Sequence, residues 1–260
     1  MNLPCSLCGH QLKDGEIRCP SCKHWNFGDE DDGGDTVLLS DAKLSETPRL
    51  DIGFLNSVFG GGLAQTSVNL VAGPPGAGKT TLFLQLADII IDQTNKEVLH
   101  IATEQHPAEI KSVAQRIKIR NMDKIRVVKA MGGLKRNMFE MFDQYKPCLI
   151  IIDSLTMLCE EDLNLQVKVA ADVKRGTLEL QCPSLLVNQV NKGEDHAGLM
   201  KLQHSVDALF MLDKDDSDGE RFFYSKKNRF GEAPKGIILL MTPADDETPG
   251  KLVPKDDQDE

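Results

Sequence analysis

Long apolar runs, aromatic side chains and net positive charge are all scarce in this 260-residue sequence. No stretch approaches the ~18 consecutive apolar residues needed to cross a bilayer. Met1 to His10 has no basic segment leading into an apolar one, the pattern of an export signal. Secretion and membrane spanning are disfavoured, and a cytoplasmic protein is expected. No internal repeat is visible, which sets aside solenoids and propellers. The formal net charge of -10 removes bulk charge as an argument for nucleic-acid binding. That charge is uneven: the acids from Asp29 to Asp35, Asp213 to Glu220 and Thr242 to Glu260 carry -5, -4 and -5, leaving +4 on the rest. An acidic total therefore does not exclude a local basic site.

With 40% hydrophobic and 27% charged residues, the chain can bury a sizeable core. Its length suits one full-sized domain and a small appendage. The appendage is signalled by cysteine. Four of the seven cysteines lie in the first 22 residues as Cys5-x2-Cys8 and Cys19-x2-Cys22. Two such pairs can supply four thiolates to one tetrahedral zinc, a filled shell that holds a ribbon together and does no chemistry. Two disulfides lack a secretory context, and a redox role fits one CxxC better than two. Cys148, Cys159 and Cys182 lie in or beside apolar segments and read as buried, inert thiols.

A zinc ribbon over 1–27 is followed by an acidic linker over 28–47, a core over 48–241 and an acidic, disordered tail over 242–260. In the core, short apolar runs at Val68–Ala72, Glu97–Ala102, Ile125–Lys129, Cys148–Ile152 and Ser184–Val187 read as strands buried on both faces. Helical patterns lie between them at Lys79–Asp92, Pro107–Ile119 and Leu165–Leu180. The last has a stripe of Leu165, Val169, Val173, Gly176 and Leu180. This alternation predicts an α/β fold with a mostly parallel twisted sheet. Ala208–Leu212, Arg221–Lys226 and Gly236–Met241 then form a β-rich edge.

The strongest chemical signal is Gly73-Pro74-Pro75-Gly76-Ala77-Gly78-Lys79-Thr80, a full G-x4-G-K-[ST] between a strand and a helix. Its main-chain N–H groups and the helix N-terminus would face the β- and γ-phosphates of a nucleotide, with Thr81 next in the loop-to-helix run. Lys79 would bridge the β- and γ-oxygens, and Thr80 would place its hydroxyl on Mg2+. Asp153, closing an apolar strand, suits holding that Mg2+ through water. Glu104, just past another strand, is placed to orient and deprotonate the attacking water; a charge at a helix N-terminus is the blander alternative. Asn188 and Gln189 end a strand and suit sensing the γ-phosphate.

Taken with these motifs, the segment from Arg18 to Asn26, the Gly60-Gly61-Gly62-Leu63 turn, Leu202 to Asp207, and Lys227-Asn228-Arg229-Phe230-Gly231 resemble the bacterial RadA/Sms family. The similarity runs from about Leu3 to Met241. It implies a RecA-like, DNA-dependent ATPase of homologous recombination and DNA repair, forming a six-membered ring that acts as a helicase or branch-migration motor on single-stranded DNA. It further implies that Lys227 and Arg229 act in trans, reaching the phosphates or the DNA loops of a neighbour. Two departures stand out: an acidic tail occupies the place of the family's Lon-protease-like domain, and Gln105-His106 follows Glu104 where the family tends to a second glutamate and a serine.

RecA-like folds place DNA on the loops at 155–164 and 190–204. The first carries Glu160, Glu161 and Asp162, which argues against phosphate contact. The second, with Asn191, Lys192, Gly193 and Lys201, is the better candidate. No aromatics alternate with these cations, so stacking readout is not indicated and sequence specificity is not expected. The alternative is a nucleotide-switched regulatory or assembly ATPase of the same group, acting on a protein partner.

Overall fold

The computed structural model describes residues 4, 8, 10–12, 20, 21 and 47–255, except 131–137, 190–195, 216–218 and 244–249. The chain divides into two units, Met1–Glu46 and Thr47–Glu260. In the first, Pro4 and Gln11 form an antiparallel bridge and Leu12 is buried. The ribbon's Cys5, Cys19 and Cys22, and nearly all of the linker, lie outside the described residues.

The second unit is built on a nine-stranded sheet. In chain order its elements are β1 (Arg49–Leu50), β2 (Leu63–Ala64), β3 (Val68–Gly73), α1 (Lys79–Thr94), β4 (Val98–Ala102), α2 (Pro107–Arg116), β5 (Ile125–Lys129), α3 (Met138–Tyr145), β6 (Leu149–Asp153), α4 (Leu155–Leu158), α5 (Leu163–Leu180), β7 (Ser184–Gln189), α6 (His196–Leu202), β8 (Ala208–Lys214), β9 (Arg221–Asn228), β10 (Lys235–Met241) and β11 (Leu252–Pro254). The sheet order is β11-β10-β9-β8-β3-β7-β6-β4-β5, and β1 pairs with β2 apart from it. From β8 to β5 every pairing is parallel; β9, β10 and β11 add on antiparallel.

Burial follows the two-residue period of a strand. Val71, Val98, Leu149, Ile151, Leu185 and Val187 face Leu82, Phe83, Leu86 and Ile90 of α1. Leu70, Leu99, Ile101, Ile150, Ile152 and Leu186 face Met138, Met141 and Phe142 of α3 and Ala170 and Val173 of α5. Both faces are covered, so the central strands read as unbroken apolar runs.

Three expectations change. The buried stripe of α5 is Gln166, Ala170, Val173, Gly176 and Thr177, while Leu165 is 41% exposed. Gly176 is there because a Cβ would lie 2.7 Å from the Phe142 ring. The helix α3 is an addition. Its Met138, Met141, Phe142 and Tyr145 follow helical spacing, but over only eight residues. The tail is not wholly disordered: Leu252 is fully buried, β11 pairs with β10, and Gln85 exchanges hydrogen bonds with the Leu252 backbone at 2.9 Å.

No helix among the described residues is long and apolar enough to cross a membrane. Among the described residues, an imidazole lies in the sheet interior without a hydrogen-bond partner. His100, at the middle of β4 and opposite Ile151 and Val127, is 1% exposed, and neither ring nitrogen has a hydrogen-bond partner. Burial pushes its pKa from 6.5 down to about 4. The unfolded chain then takes up a proton that the fold refuses. The associated stability is complete above pH 6.5 and drains away as pH falls towards 4, by about 3 kcal/mol. Chemical denaturation at pH 7 and pH 4 is expected to show this difference between the native chain and His100→Leu, with the variant lacking that share of the acid sensitivity.

Candidate active site

Parallel pairing brings the C-terminal ends of β3, β7, β6 and β4 to one edge of the sheet. In register, Gly73 lies beside Gln189 and Ala102 beside Asp153. Ligands of open α/β sheets bind at this edge.

The chain leaves β3 at Gly73, where any Cβ would collide with the Leu212 carbonyl of the adjoining strand β8. Gly76 and Gly78 then take φ of 75° and 103°, left-handed values that favour glycine. They turn the loop so that α1 opens at Lys79, with no side chain capping its N-terminus. Pro75 and Gly76 are exposed, and a Cβ on Gly76 would meet nothing within 4 Å. An uncapped helix start behind an open glycine loop offers its N–H groups to an anion, so these residues fit a polyphosphate. Ala77 and Thr81, also expected at the nucleotide, are buried in the loop and the first turn of α1.

Lys79 is 7% exposed and donates to the carbonyls of Gly73 and Pro74, each at 2.7 Å. Burial lowers its pKa, and the carboxylates of Asp153 and Glu104 pull it back up. The Thr80 hydroxyl donates to Asp153 Oδ2 at 2.8 Å. Burial raises the Asp153 pKa, the Thr80 hydrogen bond lowers it, Glu104 raises it and Lys79 lowers it. An alcohol and a carboxylate this close form a hard oxygen pair, the donor chemistry Mg2+ takes with phosphate oxygens and water.

Glu104 stands two residues beyond β4. Its Oε1 accepts the Ser154 hydroxyl and its Oε2 the Gln189 amide, both at 2.6 Å. Gln189 is therefore on the carboxylate, and Asn188 accepts a 2.6 Å hydrogen bond from Thr156. Sequence reasoning missed Ser154. Its place next to Asp153 was the available signal, since it inherits that strand end.

Lys227 and Arg229 are not part of this cluster. Asn228 pairs with Ala208, and Ala208 with Asn69, which sets them at the opposite edge of the sheet. The length of β3, roughly 17 Å at the usual rise, separates them from the phosphate loop of their own chain. Lys227 donates to the carbonyls of Gln203 and Val206 just past α6. Its pKa is lowered by burial and by Arg229, with Asp207 opposing. Arg229 is 60% exposed and lies 3.4 Å from Asp207. Asp207 is itself buried and accepts from Lys174 at 2.6 Å and from the Val68 N–H at 2.9 Å.

The two glycine-bearing motifs meet here. A Cβ on Gly60 would lie 2.6 Å from Gly231 Cα, and Arg49 donates to the carbonyls of Gly60 and Phe230, each at 2.7 Å. Thus Gly60 and Gly231 pack backbone on backbone, and Arg49 clamps the turn that carries the two cations.

Among the described residues no group of three or more His, Cys, Asp or Glu could hold a metal. Of the cysteine quartet only Cys8 is described, and it is exposed.

A family model described as the KaiC ATPase matches residues 50–230. The chain belongs to that family. Its core is a RecA-like ATPase domain, and the resemblance to RadA proteins extends over nearly the whole sequence. It is 29% identical to the "DNA repair protein RadA" of Aquifex aeolicus over 263 residues, covering 92% of this chain and 57% of that protein. For the Haemophilus influenzae protein of the same name the values are 28%, 92% and 57%. For that of Bacillus subtilis they are 26%, 91% and 57%. The chain thus spans little more than half the length of these relatives.

The backbone packing gives a sharp contrast within one glycine run. Gly60→Ala forces a Cβ onto the Phe230–Gly231 backbone, whereas Gly61→Ala, also left-handed, meets nothing within 4 Å. Thermal unfolding is expected to show Gly60→Ala losing about 2 kcal/mol more than Gly61→Ala. Equal losses would remove the close contact.

Proposed function

We propose that this chain is a DNA-stimulated ATP hydrolase whose site is completed by a second copy of itself, working as a ring-forming motor on single-stranded DNA in recombination and repair. The convergence of Lys79, Thr80, Asp153 and Glu104 on one sheet edge carries the reading. The DNA assignment draws support from relatives whose name is "DNA repair protein RadA".

In this reading the N–H groups from Gly76 to Thr80 bind the β- and γ-phosphates, and Lys79 exchanges its two carbonyl acceptors for phosphate oxygens. Thr80 and Asp153 would hold magnesium, which would supply positive charge against the phosphate oxygens. A Glu104 oxygen takes a proton from water as that water bonds to the γ-phosphorus. The bond from phosphorus to the β–γ bridging oxygen breaks, and ADP leaves with its electron pair.

Arg229 is exposed on the far edge, where it can enter a neighbour's site and neutralise charge developing in the transition state, with Lys227 beside it. The zinc ribbon of Cys5, Cys8, Cys19 and Cys22 belongs to the same reading as a structural element. The acidic 160–162 segment keeps a second reading in play, the nucleotide switch acting on a protein partner.

Two measurements test this. Glu104→Gln is expected to bind ATP normally while turnover falls ~100-fold or more; near-normal turnover removes Glu104 as the base. Single-stranded DNA is expected to raise the ATPase rate of the native chain, and indifference to it favours the switch.

A further inference from the structure

Ser154 is fully buried, and its hydroxyl makes two contacts that join different parts of the molecule. It donates to Glu104 Oε1 at 2.6 Å and accepts the Met157 N–H at 3.3 Å, capping α4. Its backbone is fastened to the strand end that carries Glu104. The Ser154 N–H donates to the Thr103 hydroxyl at 2.7 Å, that hydroxyl donates to the Ser154 carbonyl at 3.3 Å, and the Thr103 N–H donates to the Asp153 carbonyl at 2.9 Å. The chains leaving β4 and β6 are therefore linked by backbone and hydroxyl contacts, and the Ser154 Oγ is aimed from that linkage at one carboxylate oxygen.

A glutamate side chain has three rotatable bonds, and a carboxylate that turns freely spends little time facing one water molecule. Each carboxylate oxygen accepts two hydrogen bonds. Ser154 takes one on Oε1 and Gln189 one on Oε2, which leaves an acceptor position on each for water. The two donors differ in anchorage. Gln189 is the last residue of β7, whereas the Ser154 backbone is locked to Thr103 within the sheet edge.

We propose that Ser154 is a positioning residue for hydrolysis: its hydroxyl fixes the plane of the Glu104 carboxylate so that a free lone pair faces the attacking water. This rests on Glu104 as the base. The arrangement also places the end of α4 in contact with the base through one atom, because the same hydroxyl oxygen accepts from Met157.

The test is steady-state ATP hydrolysis by the full chain with Ser154→Ala, Ser154→Thr, Glu104→Gln and the Ser154→Ala/Glu104→Gln double variant, alongside equilibrium binding of a non-hydrolysable ATP analogue. Ser154→Ala is expected to lower kcat about tenfold with KM and analogue affinity unchanged. Ser154→Thr, which keeps the hydroxyl, is expected to recover most of that loss. On the Glu104→Gln background Ser154→Ala is expected to add nothing, because its effect passes through the carboxylate. An unchanged kcat in Ser154→Ala, an equal loss on both backgrounds, or weakened analogue binding would overturn the proposal. If Glu104→Gln itself retains turnover, the base assignment fails instead. Strong loss in Glu104→Gln with none in Ser154→Ala defeats the positioning role alone.

Discussion

The side-by-side parallel pairing of β3 with β7, β7 with β6 and β6 with β4 decides where everything else can lie. Parallel strands end on the same side, so the chain must deliver the phosphate loop, Gln189, Asp153 and Glu104 to one edge, each from a different crossover. The next strand, β9, runs antiparallel to β8, and its end therefore carries Lys227 and Arg229 to the opposite edge. A site with an alcohol, three charged side chains and an open helix start is thus assembled without its own distal cations. Strand direction separates the two halves more firmly than any loop motion within one chain would reconcile them.

The packing that fixes this geometry is largely apolar and two-sided. The aromatic rings of Phe59, Phe210 and Phe223 stack between β8, β9 and the segment ahead of β2, with centroids 4.1 to 5.9 Å apart. On the same side lies the Leu252 side chain of the edge strand β11, which approaches the position where a Cβ on Gly78 would be, at 3.3 Å. A residue of the acidic C-terminal stretch therefore packs behind the phosphate loop, and the Gln85–Leu252 hydrogen bonds tie it to α1.

Much of this was legible in the residues. Strands buried on both faces announce themselves as apolar runs, and the observed ends differ from the expected ones by a residue or two at Gly73, Val98, Asp153 and Gln189. The phosphate loop was legible because glycine, lysine and threonine at fixed spacing between strand and helix have few other uses. What was not legible depends on pairing between distant segments. The contact of Gly60 with Gly231, the hold of Lys227 on the Gln203 and Val206 carbonyls, and the Ser154 bond to Glu104 each join residues 21 or more positions apart. The face of α5 was misjudged because Leu165 looks apolar in sequence while Gln166 is the residue turned inward. The β11 strand was hidden by its acidic surroundings, and only three of its residues pair.

Whether an adjoining copy completes the site can be read from a single mixing experiment. Glu104→Gln lacks the base but keeps its distal cations, while the Lys227→Ala/Arg229→Ala chain lacks the cations but keeps the base. Equimolar mixing of the two, followed by ATP turnover, is expected to restore activity well above the sum of the separate preparations, since some interfaces then pair an intact base with intact cations. Turnover no greater than that sum, with mixed assembly confirmed by co-purification of the two differently tagged chains, would contradict a site shared across two chains.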